Sequence, residues 1–212
     1  MKRTAVAALL LLAGCFGNES TEFPPGLEPL EDNAVPPHEG DDYAEAIGFA
    51  DGETGDYTWV HGRGYVLAEP YSVWAALQTP ELMAAVCSTD THAIEVGSEP
   101  DYELSFQVSY EVHKVITVAW DESWRYGTIV GTREEPELGM VRYQKVYGST
   151  LIDILEGSIQ LHATPDPDVT ELQFVEHLSG AGGSVEDMQI AMQHRFDAVV
   201  ATMHGAEQPT CP

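Results

Sequence analysis

The stretch Ser184–Gly205, SVEDMQIAMQHRFDAVVATMHG, decides the fold. Val185, Met188, Met192, Phe196, Val199, Val200 and Met203 recur at helical spacing and make one apolar stripe. Ser184 and Asp187 stand at capping-box spacing, His204 suits a last turn, and Gly205 is the expected stop. The spacing predicts a long helix, and a stripe of that length must be buried against another element.

The partner for that stripe lies upstream. Phe106, Val108, Tyr110, Val112, Ile116, Val118 and Trp120 alternate with Gln107, Ser109, Glu111, His113 and Thr117, a period of two broken by Lys114. The pattern predicts one long strand over 106–120, a turn at Asp121-Glu122-Ser123, and further strands over 124–130, 138–147, 151–163 and 169–178. Tyr57 to Ala68 is strand-like, and His92 to Val96 is a short strand. Pro70 and Thr79-Pro80-Glu81 each start a short helix, with Pro in the first turn. Strands joined by short turns make an antiparallel sheet, in whose concavity the final helix packs. The fold class is therefore α+β: a curved antiparallel sheet with two short helices and a long C-terminal helix.

Val73-Trp74-Ala75-Ala76-Leu77 with Thr79-Pro80-Glu81-Leu82, Val169-Thr170-Glu171-Leu172 with Phe174, and Met192 through Met203 carry a resemblance. Over about residues 57–205, in a domain read as 57–212, the chain resembles the helix-grip domains of the START superfamily, which includes polyketide cyclase-like and lipid-transfer proteins. The Gly-rich first strand with His61 and Arg63 departs from that pattern. The resemblance implies a cavity between sheet and long helix that holds an apolar ligand. It implies no single chemistry, since one scaffold hosts carriers, enzymes and sensors.

The N-terminus reads as an address. Met1-Lys2-Arg3 precedes an apolar run, Ala5 to Ala13, too short to span a bilayer. Leu12-Ala13-Gly14-Cys15 resembles a bacterial lipobox, which implies a signal peptide over 1–14 and acyl chains on Cys15. Phe16, where Asp often marks inner-membrane retention, favours the outer membrane of a bacterial cell envelope. The other reading is an ordinary cleaved signal with an incidental Cys15. Residues 15–56 follow with several prolines, 12 acidic residues and no Lys or Arg, and they read as an acidic, disordered tether.

The whole chain of 212 residues has 9 Lys and Arg against 35 Asp and Glu, a net charge of -26. That charge excludes a nucleic-acid partner, because phosphate binding needs a basic surface. With Cys15 acylated, Cys87 and Cys211 remain as an even pair in an oxidising compartment and are expected to form a disulfide; the alternative is two inert thiols. The eight His form neither His-x-His nor His-Glu-x-x-His, so no metal is expected, and no cofactor motif is present. Lys114 and Asp153 each interrupt an apolar strand face. They are the candidates for a polar ligand head, with Trp120, Tyr126 and Phe196 on the cavity wall. The alternative for both charges is a strand end or bulge where the head reaches water. The expected function is a membrane-anchored lipoprotein that binds a small apolar or amphipathic ligand. The alternatives are acid–base chemistry on the same fold and a protein-interaction scaffold with an acidic surface.

Overall fold

The computed structural model describes residues 17–40, 42–113, 115–181 and 183–211. Cys15 and Lys114 therefore lie outside the described residues. The elements in chain order are β1 (Asn18–Ser20), β2 (Ile47–Glu53), β3 (Thr58–Val66), α1 (Pro70–Leu77), α2 (Pro80–Ala84), β4 (Thr91–Val96), β5 (Leu104–His113), β6 (Thr117–Gly131), β7 (Pro136–Ser149), β8 (Ile152–Ala163), β9 (Thr170–Gly180) and α3 (Val185–His204). All strand pairs are antiparallel, in the order β2-β3-β9-β8-β7-β6-β5-β4. β1 lies off this path and pairs with β7.

α3 begins and ends as its residues predict. The Ser184 and Asp187 side chains make a reciprocal capping box, and Gly205 closes the helix in the left-handed conformation at φ 60°. Met188, Met192, Phe196 and Val199 are buried against the sheet. Each such side chain stabilises by roughly 1.5–3 kcal/mol relative to exposure. α1 starts at Pro70 and sends Trp74 onto β7, where Gly139 leaves room for the indole face.

The strand expected over 106–120 is two strands. β5 and β6 form a hairpin in which Val112 pairs with Val118 and Tyr110 with Trp120. The connection preserves the inward parity of both arms, so the alternation runs through it undisturbed. The turn expected at Asp121-Glu122-Ser123 lies inside β6 as a register shift against β7.

Within the stretch 15–56, read as a disordered tether, the described residues include two paired strands, β1 and β2. Residues 17–40 form a strap along the outer sheet face, and β2 is an edge strand paired with β3 over Ile47–Glu53. The strap is held by cations from distant strands. Lys145 bridges to Glu19 at 3.0 Å. The Arg125 guanidinium donates to the carbonyls of Phe23 and Pro24 and lies 3.7 Å over the Phe23 ring. Arg142 donates to the Glu28 carbonyl at 2.7 Å, and Arg63 to the Val35 carbonyl at 2.8 Å. The acidic, proline-rich stretch lacks an apolar face of its own, but the sheet supplies donors and charge for its backbone.

Candidate ligand-binding cavity

A cavity of about 220 Å³ lies between the sheet and the N-terminal half of α3. At one end it is lined by Val86 and Ser88 after α2, Val112 and Val118 of the β5–β6 hairpin, and Ala181 and Gly183 before α3. Ser88, Ala181 and Gly183 are exposed, so the entrance is taken to lie at that end. Trp120, Ile152, Leu155, Leu178 and Met188 make apolar walls. The other half of the groove is solid, filled by Trp74, Leu77, Phe106, Tyr126, Leu172 and Phe196.

The floor is polar. Arg195, Glu176 and Glu122 line the cavity and are each at most 5% exposed. Arg195 comes from α3, Glu176 from β9 and Glu122 from β6. The Tyr143 hydroxyl, from β7, donates to the Glu176 carboxylate. Arg195 Nη1 lies 3.4 Å from both the Tyr143 hydroxyl and Glu176 Oε2, and its Nε donates to the Met83 carbonyl at 3.2 Å. The guanidinium also lies 5.2 Å from the Trp124 and Tyr143 ring centroids. Burial opposes its charge, but Tyr143, Glu176, Tyr110 and Glu122 around it more than offset this and hold Arg195 protonated.

Glu122 accepts the Trp120 indole N–H at 2.8 Å on one oxygen and that of Trp124 at 3.2 Å on the other. Burial pushes its carboxyl up to about 7, with Glu176 adding to the rise; the indole bonds and Arg195 oppose it. The floor is thus neutral when Glu122 is protonated and carries one net negative charge when it is not.

Of the residues singled out from sequence, Trp120 lines the cavity. Tyr126 and Phe196 are buried in the solid half and do not reach it. Asp153 is exposed, because a register shift between Ile152 and Ile154 turns β8 at that point. Arg195, Glu176, Tyr143 and Glu122 were not singled out. The available signal was Arg195, a cation placed directly before Phe196 of the buried stripe. Cys87 and Cys211 are joined, 124 residues apart in sequence.

On the outer face, His61 of β3 and His177 of β9 converge on Glu31 of the strap, at 2.7 and 3.2 Å from Oε1. His177 Nδ1 also faces Glu156 at 3.2 Å, and its ring stacks on Tyr57 at 4.1 Å. Glu31, His61 and His177 have the donor types of a metal site. The Ala34 N–H, however, donates to His61 Nδ1 at 2.8 Å. That bond places the His61 proton on Nε2, facing Glu31, where a metal would need the lone pair. In the other convergent group, Cys87, His194 and Cys211, both sulfurs are already paired with each other.

A curved antiparallel sheet closed around a long C-terminal helix defines the helix-grip class. Among solved structures, the chain is similar to the lipid transfer and protein localization domain of human StarD13, with TM-score 0.50 and 12% identity over 80% of this chain and 88% of that one. It is also similar to a STAR-related lipid transfer protein fragment from Xanthomonas axonopodis, with TM-score 0.46 and 17% identity over 78% and 92%. The Zhui aromatase/cyclase of Streptomyces sp. R1128 aligns with TM-score 0.40 and 14% identity over 71% and 84%. At such identities the likeness is one of fold. No protein-family model matches the chain, and no curated protein matches it in sequence.

Proposed function

We propose that this chain is a lipoprotein of the bacterial envelope, held in the outer membrane by acyl chains on Cys15, whose helix-grip domain binds a small amphipathic ligand. The observation that carries the ligand reading is an apolar cavity with Arg195, Glu176, Tyr143 and Glu122 gathered on its floor. Its volume is below the roughly 300–1,000 Å³ of pockets for drug-sized ligands. It therefore suits a compact molecule, or one chain of a larger amphiphile. The floor has no net positive charge to spare, because Glu176 already offsets Arg195. A hydroxyl or carbonyl head fits this balance, and a free carboxylate would meet Glu122 as a second anion.

Native mass spectrometry of the full chain tests the reading. A bound small molecule is expected, and dodecanol is expected to bind more tightly than dodecanoate above pH 7. A protein that is isolated empty and takes up neither probe would overturn it. Acid–base chemistry is a second reading, favoured by a carboxyl near pKa 7 on the cavity wall. Release of chemically altered rather than intact ligand would select it.

A further inference from the structure

We infer that the N-terminal anchor holds the domain with its cavity entrance against the bilayer, so that the membrane itself is the surface the entrance docks on. The inference rests on the acylation of Cys15 proposed above, and it adds an orientation which that proposal does not contain.

The register of β1 sets the geometry. Asn18 pairs with Ser149, Glu19 with Gly148 and Ser20 with Tyr147. The Gly17 carbonyl accepts the Thr150 N–H at 3.1 Å, and Asn18 Nδ2 donates to the Tyr147 hydroxyl at 3.1 Å. β1 takes the edge of β7 beyond Gln144, where the pairing of β7 with β8 ends. The chain therefore enters the fold at the end of the sheet where β7 finishes. At that same end β5 finishes, β6 and β8 begin, β9 finishes and α3 begins. Among them are the β5–β6 hairpin, with Val112 and Val118, and the residues before α3, with the exposed Ala181 and Gly183, which line the open end of the cavity.

The length of the connection selects the face. Cys15 precedes Gly17 by two residues, which span at most about 7 Å when extended. The far end of the sheet, with the 132–135 and 164–169 turns, is the full 12-residue length of β8 away. At about 3.3 Å per residue that is roughly 40 Å. A lipid on Cys15 can place the entrance at the membrane and cannot place the far end there. At the entrance the β5–β6 turn presents Val115, fully exposed, and Ile116, with Tyr147 exposed nearby. Leu67, Tyr71, Val96, Ile129 and Val130 are exposed toward the far end, so exposed apolar side chains alone do not select the face. The net charge of the chain gives no attraction to an anionic bilayer, so the short connection rather than electrostatics sets the orientation. A ligand could then pass between cavity and membrane without crossing bulk water.

The test uses the full chain, with Cys15 acylation confirmed by intact mass and the protein reconstituted in phosphatidylcholine vesicles. An environment-sensitive fluorophore is attached at Val115→Cys or, in the far turn, at Glu134→Cys. A lipid-borne quencher is expected to act several-fold more strongly on the Val115 label. Equal quenching, stronger quenching at Glu134, or a Cys15 without acyl chains would overturn the inference. Inserting twenty Gly/Ser residues after Phe16 keeps anchor and fold but frees the orientation. Quenching at Val115 is then expected to fall, and unchanged quenching would refute the short connection as its cause. Ligand occupancy of the same preparations, read by native mass spectrometry, separates the two ideas. An occupied protein docked by its far end loses the orientation alone, and an empty protein docked by its entrance loses the ligand reading alone.

Discussion

Gly157 of β8 lies directly across from Tyr143 of β7, and the space of its missing side chain is filled by the Tyr143 ring. A Cβ at 157 would fall within the phenol. Gly157 thus lets Tyr143 lie flat enough to reach Glu176 and Arg195. Gly157→Ala is expected to destabilise by about 1–3 kcal/mol through overpacking. It should also displace the Tyr143 hydroxyl from the cavity floor. Denaturant unfolding checks the first effect, and ligand occupancy in native mass spectrometry checks the second. Unchanged stability would mean that the ring can move aside freely.

The parts of the fold that were legible in sequence were those with local signals. α3 carries its stripe, its Ser184 cap and its Gly205 stop within one window, and α1 announces itself at Pro70. The β5–β6 turn was hidden because Val112 and Val118 face each other across it, so the alternation never changes phase. The strap was hidden for a different reason. Its partners Arg63, Arg125, Arg142 and Lys145 lie dozens of residues downstream, and nothing in a proline-rich acidic segment points to them. The cavity floor gathers Glu122, Tyr143, Glu176 and Arg195 from four elements, a juxtaposition that only strand order creates. Asp153 falls out of the alternation because the register shift beside it breaks the count, which is the bulge alternative stated for that charge.

Glu122 makes stability depend on pH with a definite sign. Its carboxyl titrates at about 7 in the fold against an ordinary 4.5, so between these values the folded chain binds more protons than the unfolded one. Its contribution is complete below about pH 4.5 and is lost as pH rises to about 7, a change of about 3 kcal/mol at one pKa unit per 1.36 kcal/mol. Glu122→Gln removes the titrating group. The stability difference between wild type and variant is expected to change across that window and to be flat on either side, as measured by urea unfolding from pH 4 to 8. A flat difference throughout would show that Glu122 ionises as freely in the fold as outside it.

The disulfide between Cys87 and Cys211 ties the C-terminal tail to the segment after α2. In the chain-entropy account, closing so long a loop stabilises by up to about 4–5 kcal/mol. Cys211→Ser is expected to lower the melting temperature, and reductant should lower that of the wild type to a similar value while leaving the variant unchanged. A further fall of the variant under reductant would point to another disulfide.

His177 makes the attachment of the strap depend on pH in its own way. Burial lowers the affinity of the imidazole for its proton, but hydrogen bonds to Glu156 and Glu31 and the charges of both outweigh this, so its pKa lies above the ordinary 6.5. His61 moves down instead, chiefly by burial, and its Nδ1 accepts the Ala34 N–H. Burial raises Glu31, yet the two histidines together bring its carboxyl below the ordinary 4.5. The His177 contribution is therefore fully present below pH 6.5 and is lost as pH rises through its folded pKa. The Glu31 contribution is present above pH 4.5 and is lost as pH falls through its own. Between these limits the imidazolium bridges two carboxylates and binds the strap to β8 and β9. His177→Gln keeps a hydrogen-bonding side chain without the charge. It is expected to cost on the order of 1 kcal/mol at pH 6 and much less at pH 8.5. Amide exchange at Glu31 to Val35 should quicken in the variant at pH 6 more than at pH 8.5. An equal loss at both values would show that His177 is neutral in the fold and that the strap is held by its backbone contacts alone.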